Sequence, residues 1–121
     1  MPIRTVMVVD DSATDRHVLA DMLTSAGYVV IALASAEEAE RRIRTERPDV
    51  ILMDIVMPGK NGFEATRELQ RNDATRDIPV IVCTSKSQPT DRIWALRQGA
   101  REVVVKPVQR RHLLETIARL G

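Results

Sequence analysis

Five short apolar runs punctuate the chain: TVMVV (Thr5–Val9), VVIAL (Val29–Leu33), DVILM (residues 49–53), PVIVCT (residues 79–84) and EVVVK (residues 102–106). They are rich in Val and Ile and do not alternate with polar residues. A strand with one face in water alternates, whereas a continuous apolar run suits a parallel strand covered on both faces. The segments between the runs carry helical spacing instead. Val18, Leu19, Met22, Leu23 and Ala26 form one stripe, and Gly27 is a natural stop behind it. Ser35, with Glu38 three residues on, opens a second helix as a capping box; Ala39 and Ile43 continue its apolar face, and Pro48 lies beyond its end. A third helix is expected over residues 62–72, with Phe63, Thr66 and Leu69 inward. A fourth runs from Pro89 to Gly99, and a fifth carries Leu113, Leu114, Ile117 and Leu120 on one side. The longest irregular piece is residues 72–78, between the third helix and the fourth strand.

Strand and helix therefore alternate five times. Same-direction neighbours need a crossover, and crossovers are right-handed, so the pattern predicts an α/β fold: a five-stranded doubly wound parallel sheet, order 2-1-3-4-5, with five flanking helices on its two faces. The 121 residues fit one domain, residues 1–121, with no room for an output domain of normal size. No internal repeat or low-complexity segment interrupts it.

Charge adds little to this picture. With 18 basic and 17 acidic residues, the formal net charge of +1 gives no electrostatic case for nucleic acid or a membrane surface. The basic stretches RRIR (residues 41–44) and QRRH (residues 109–112) read as solvated helix faces. The single cysteine, Cys83, excludes an internal disulfide and sits in an apolar run as a core thiol. His17 and His112 lie among helix residues without the company a metal site needs. The start of the chain has too short an apolar run for a signal peptide, and no stretch approaches the ~20 apolar residues of a membrane span, so the cytoplasm is the expected location.

The chemistry is concentrated at the ends of the runs. The first ends in Asp10 and Asp11, and the third leads into Asp54. In the order 2-1-3 the switch point lies between the first and third strands, at their carboxyl ends, where ligands bind in open sheets. Three acids meet there. Two like charges ~4 Å apart cost about 4 kcal/mol at an effective dielectric of about 20, which a divalent cation offsets. An all-oxygen set without Cys or His points to Mg²⁺ rather than zinc. Mg²⁺ takes one or two carboxylates and keeps room for a phosphate oxygen, which leaves Asp54 free to act as nucleophile toward a phosphoryl group. The fourth run ends in Thr84, a hydroxyl donor, with Ser85 behind it. The fifth ends in Lys106, whose ammonium can neutralise a transferring phosphoryl group. Pro107 makes a cis Lys106–Pro107 bond affordable. Each part has a plainer reading: Asp10 and Asp11 as helix caps, Asp54 as a turn residue, Thr84 as a strand-end hydroxyl, Lys106 as a solvent lysine. Four of five strands ending in groups suited to one reaction is what favours the functional one. A metabolic enzyme fits poorly, since there is no GxGxxG, no Walker loop and no second Asp two residues after Asp54, where Val56 stands.

The motifs VVDDS (residues 8–12), LMDIVMPGKNG (residues 52–62), VCTSK (residues 82–86) and VKP (residues 105–107) together resemble the receiver domain of two-component response regulators, over essentially the whole chain. The resemblance implies that Asp54 accepts phosphate from a sensor histidine kinase or phosphotransfer protein. It implies that Asp11 ligates Mg²⁺ directly, Asp10 largely through water, and the Val56 carbonyl as a further ligand, with Thr84 and Lys106 on the phosphoryl group. Within the family the chain looks like single-domain, CheY-like regulators, and DIVMPGKNGFEATREL, TSKSQPTDRIWALRQGARE and KPV resemble PilH-type regulators of twitching motility. Such a protein is a signalling switch, not an enzyme in the metabolic sense, and monomer is the default. It would bind a downstream protein target through its fourth helix, fifth strand and fifth helix. A phosphate sink that drains a shared kinase, and a constitutive module that no longer takes phosphate, stay open as alternatives. One departure stands out: many receivers carry an aromatic three residues before the lysine, and here that residue is Val103. Trp94, in the fourth helix, reads either as a packing residue or as an anchor for a partner.

Overall fold

The computed structural model describes residues 2–85 and 88–121. Lys86 and Ser87, in the TSKS stretch, lie outside the described residues. The elements are β1 (Thr5–Val9), α1 (Ala13–Ser25), β2 (Val29–Leu33), α2 (Ala36–Arg42), β3 (Val50–Asp54), α3 (Gly62–Arg71), β4 (Val80–Thr84), α4 (Pro89–Arg97), β5 (Glu102–Val105) and α5 (Arg110–Leu120). The five strands are parallel, in the order β2-β1-β3-β4-β5, as the run pattern predicts.

Alternate residues of each strand feed opposite layers. Val6 and Val8 pack with Leu19 and Leu23 of α1 and with Leu113 and Ile117 of α5. Met7 and Val9 pack the other way, with Ala39 of α2 and Ala65 and Leu69 of α3. A third cluster of Ile55, Val82, Ala95, Ala100 and Val103 seats α4. Both sides of the central strands are apolar, which is why these runs show no alternation.

The structure corrects the sequence reading at several points. β2 is not covered on both faces: it is an edge strand, with Val29 61 % exposed. Asp49 is outside β3 and works from the rim, its Oδ2 accepting from the Arg4 and Thr5 amides at 2.8 and 2.9 Å. Asp54, by contrast, ends β3 as the run pattern predicts. In α1 the buried stripe is narrower than its apolar residues suggest: Leu19 and Leu23 are covered, while Val18 and Ala26 face out. The capping box of α2 forms on one side only, Ser35 Oγ accepting from the Glu38 amide at 3.2 Å, while Glu38 reaches the Ala34 amide instead.

The turn from β3 into α3 answers why so much Gly and Pro follows Asp54. The chain doubles back over its own strand end, the Gly62 amide donating to the Ile55 carbonyl at 2.9 Å. A Cβ on Gly62 would sit 2.0 Å from the Asp54 carbonyl oxygen, so no other residue fits without moving Asp54. Asn61 caps α3 through the Glu64 amide at 2.9 Å. Lys60 pins the loop to both neighbouring helices, bonding Glu40 of α2 at 2.6 Å and also Glu68 of α3.

Gly62→Ala is expected to destabilise the protein by about 1–3 kcal/mol, the usual cost of forcing a methyl into packed space. Thermal unfolding would show a Tm lowered by several degrees; an unchanged Tm would mean the loop has slack that this close approach does not suggest.

Candidate functional site

Parallel register decides what stands at the carboxyl edge of the sheet. Val9 pairs with Met53, so Asp10 and Asp54 emerge at the same level on adjacent strands. Asp54 pairs with Cys83, which puts Thr84 one step further along β4. Thr84 pairs with Val105, and the Lys106 amide donates to the Thr84 carbonyl at 2.7 Å. Four strands thus deliver Asp10, Asp54, Thr84 and Lys106 to one edge. Asp10 and Thr84 are almost fully buried, and Asp54 is 8 % exposed.

Asp11 follows Asp10 and is exposed. Among the described residues, Asp10, Asp11 and Asp54 form an acid group that can offer carboxylate oxygens all within 4.8 Å of one another. Lys106 Nζ lies at the centre of the charge, 2.7 Å from Asp10 Oδ2 and 3.3 Å from Asp54 Oδ1. Burial alone would push this ammonium down, but the bonds to Asp10 and Asp15 and the charge of Asp54 outweigh it and hold it above its ordinary value. Asp54 moves the opposite way from most paired acids. Burial raises its pKa, the charge of Asp10 adds to that, and Lys106 only partly offsets them. The Lys106–Pro107 peptide bond is cis.

The first turn of α1 completes the edge. The Ser12 amide donates to Asp10 Oδ1 at 2.9 Å, and Ser12 Oγ caps the helix through the Asp15 amide at 3.2 Å. Arg16 Nη1 donates to the Asp10 carbonyl at 2.8 Å. Asp15 Oδ2 accepts from Lys106 at 2.9 Å, a contact the sequence reading did not foresee. A signal for it was present: an acid in the first turn of the helix that follows Asp11 must sit over the same sheet edge.

Other candidates separate cleanly. Val56 stands in the loop directly beyond Asp54 and is 63 % exposed. Cys83 is buried behind the edge, its thiol pushed up to about 12 by burial, and is inert as expected. His17 and His112 are exposed on helices and belong to no candidate metal-ligating group among the described residues. Val103 is buried between β4 and α4. Trp94 packs against Phe63, the two rings nearly perpendicular with centroids 6.4 Å apart, and about half of the residue is exposed.

Three close carboxylates with one half-buried ammonium suit a hard divalent cation, since Asp54 is charged only at a cost in its absence. The raised pKa of Asp54 means the fold disfavours its ionised form. Stability is then greatest where Asp54 is protonated, and falls as pH climbs from the ordinary carboxylate range to the raised folded value. Asp54→Asn is expected to have a higher Tm than wild type at neutral pH without divalent cations. The difference should shrink toward about pH 4, where free carboxyls protonate. A gap that stays constant across a pH series of thermal melts would contradict this.

Comparison with known proteins agrees with this geometry. The family model of the response regulator receiver domain matches residues 6–118. The chain is 47 % identical to the protein PilH of Pseudomonas aeruginosa over 112 residues, 93 % of each chain. Chemotaxis protein CheY4 of Vibrio cholerae superposes with a TM-score of 0.91 at 30 % identity, covering 98 % of this chain and 99 % of that one. The receiver domain of a Pseudomonas aeruginosa PAO1 sensor histidine kinase, solved with a magnesium ion in its active-site cleft, superposes with a TM-score of 0.88 at 32 % identity, covering 97 % and 96 % of the two chains. A chain matched by this family model over residues 6–118, with that sequence identity and that superposition, belongs to the response regulator receiver domain family.

Proposed function

We propose that this receiver domain is a phosphorylation-controlled signalling switch in which Asp54 takes a phosphoryl group from a sensor histidine kinase or phosphotransfer protein. The observation that carries the reading is the placement of Lys106: its ammonium bonds Asp10 at 2.7 Å and stands 3.3 Å from Asp54, beside the acid group. One Asp54 carboxylate oxygen attacks phosphorus and forms the new O–P bond. The bond from phosphorus to the donor atom breaks, its electron pair leaves with the donor, and an aspartyl phosphate results. Lys106 and the Thr84 hydroxyl meet the charge on the phosphoryl oxygens. Receiver domains bind Mg²⁺ at an acidic pocket. Here Asp11, Asp54 and the Val56 carbonyl would hold it directly and Asp10 through water, supplying positive charge to the transferring group. Both Asp10 oxygens already have partners, Lys106 and the Ser12 amide, which supports the indirect role for that residue.

Output follows from what borders the site. Thr84 ends β4 just before the connection to α4, and α4 rests through Ala95 on Val82 and Val103. Val103 has no ring to swing, so the shift runs through backbone and helix packing rather than an aromatic rotamer. The α4–β5–α5 surface, with Ile93, Trp94 and Leu96 exposed on α4, is the face that binds a downstream protein differently in the two states. The protein acts as a monomer in the cytoplasm, with residues 1–121 as one receiver unit. The likeness to PilH and CheY supports motility signalling of the type IV pilus or chemotaxis kind as the pathway class.

Intact-protein mass after incubation with acetyl phosphate tests this directly. Wild type is expected to gain one phosphate with Mg²⁺ and none with chelator, and Asp54→Ala to gain none. Amide NMR signals between Thr84 and Gly99 should move on phosphorylation. Labelling of Asp54→Ala, or no labelling of folded wild type by any donor, would reject the reading.

A further inference from the structure

Lys106 has one carboxylate more than the proposed reaction uses. An ammonium carries three N–H bonds, and three acids surround this one: Asp10 at 2.7 Å, Asp15 at 2.9 Å and Asp54 at 3.3 Å. The acid proposed to react is the most distant. At 3.3 Å it lies beyond the roughly 2.7–2.9 Å of a strong charge-assisted bond, which the other two achieve.

The two closer partners differ. Asp10 is 1 % exposed and is fixed from its other oxygen by the Ser12 amide. Asp15 has a side chain that is 45 % exposed, stands on the first turn of α1 and is outside the acid group that suits a cation. Water can replace Lys106 on Asp15 at little cost, but not on Asp10. Asp15 also borders the groove formed with Val18, Leu19, Pro107 and Val108, so its carboxylate has an open side to turn to.

We infer that Asp15 is a positioning residue that parks Lys106 away from Asp54 in the unphosphorylated protein, and that phosphoryl transfer draws the ammonium off it. The inference rests on Asp54 as the phosphoryl acceptor. A phosphoryl group brings several anionic oxygens to the edge, and an ammonium that keeps both other acids has one N–H left for them, so serving a second oxygen releases an acid. Asp15 is the acid released. Only a hydrogen bond is exchanged in this movement, and no proton or covalent bond changes hands. Parking therefore slows transfer, because part of the attraction between Lys106 and the incoming group is spent on leaving Asp15.

The test is a four-protein cycle: wild type, Asp15→Asn, Lys106→Met and the double variant, each with acetyl phosphate at saturating Mg²⁺. The rate of adduct formation is read by intact mass. Asp15→Asn is expected to be faster than wild type by about two- to fivefold, the range one partly exposed ion pair commands. Asp15→Glu should return the rate to near wild type. In the Lys106→Met background, Asp15→Asn should lose its effect. The effects of the two substitutions on Tm, measured without donor or Mg²⁺, should be non-additive. An Asp15→Asn protein no faster than wild type overturns the inference. So does equal acceleration without Lys106, which would mean Asp15 acts only as a general negative charge, and so do additive Tm effects. If wild type itself takes no phosphate, the Asp54 reading fails and this falls with it; if wild type labels normally, failure of the cycle counts against Asp15 alone.

Discussion

One ammonium makes the acid edge of this sheet tenable. Asp10, Asp11, Asp15 and Asp54 converge where β1 and β3 end, and Asp10 is as buried as the core valines behind it. A carboxylate so placed and left unpaired costs several kcal/mol, about 3–5 when a buried pair is broken. Lys106 meets that cost from 96 residues away along the chain. It can do so only if β5 lies beyond β4 and β4 beside β3. Strand order and charge balance therefore depend on each other: the fold brings the lysine to the acids, and the acids favour the fold that does so.

The balance is deliberately incomplete at Asp54. Lys106 holds Asp10 closely and Asp54 loosely, while burial and the charge of Asp10 work against ionisation of Asp54. A fully satisfied carboxylate would be a structural residue. This one is held in register by β3 and by Gly62 pressed on its backbone, yet it remains electrostatically unsatisfied. Rigid position combined with unmet charge is what a receptor for a cation and a phosphoryl group requires.

Much of this was legible in the sequence because parallel strands leave a coarse record. Unbroken Val/Ile runs, separated by helical stripes, imply the sheet, and the sheet order implies that Asp10, Asp11, Asp54, Thr84 and Lys106 share an edge. Residues that act through side-chain reach were less visible. Asp15 looks like any acid in a first helical turn until β5 is seen to place Lys106 beside it. The exposure of the edge was less visible: the predicted order already puts β2 at the rim, yet the VVIAL run is as apolar as the central ones and does not show that β2 is only partly covered. Face assignment was illegible for a related reason. When both sides of a strand are apolar, nothing in the sequence says that Val8 meets α1 and Val9 meets α2 and α3.

The contact between Phe63 and Trp94 links the two helices that flank the proposed output path. Phe63 sits on the first turn of α3, just beyond the loop that closes over Asp54, and Trp94 sits midway along α4. The chain contains no other tryptophan. Its tryptophan emission therefore comes from α4 alone, from a half-exposed indole set at right angles to the Phe63 ring of the helix that begins at the reacting loop. The protein carries its own optical gauge of the distance between those two helices, with no label attached.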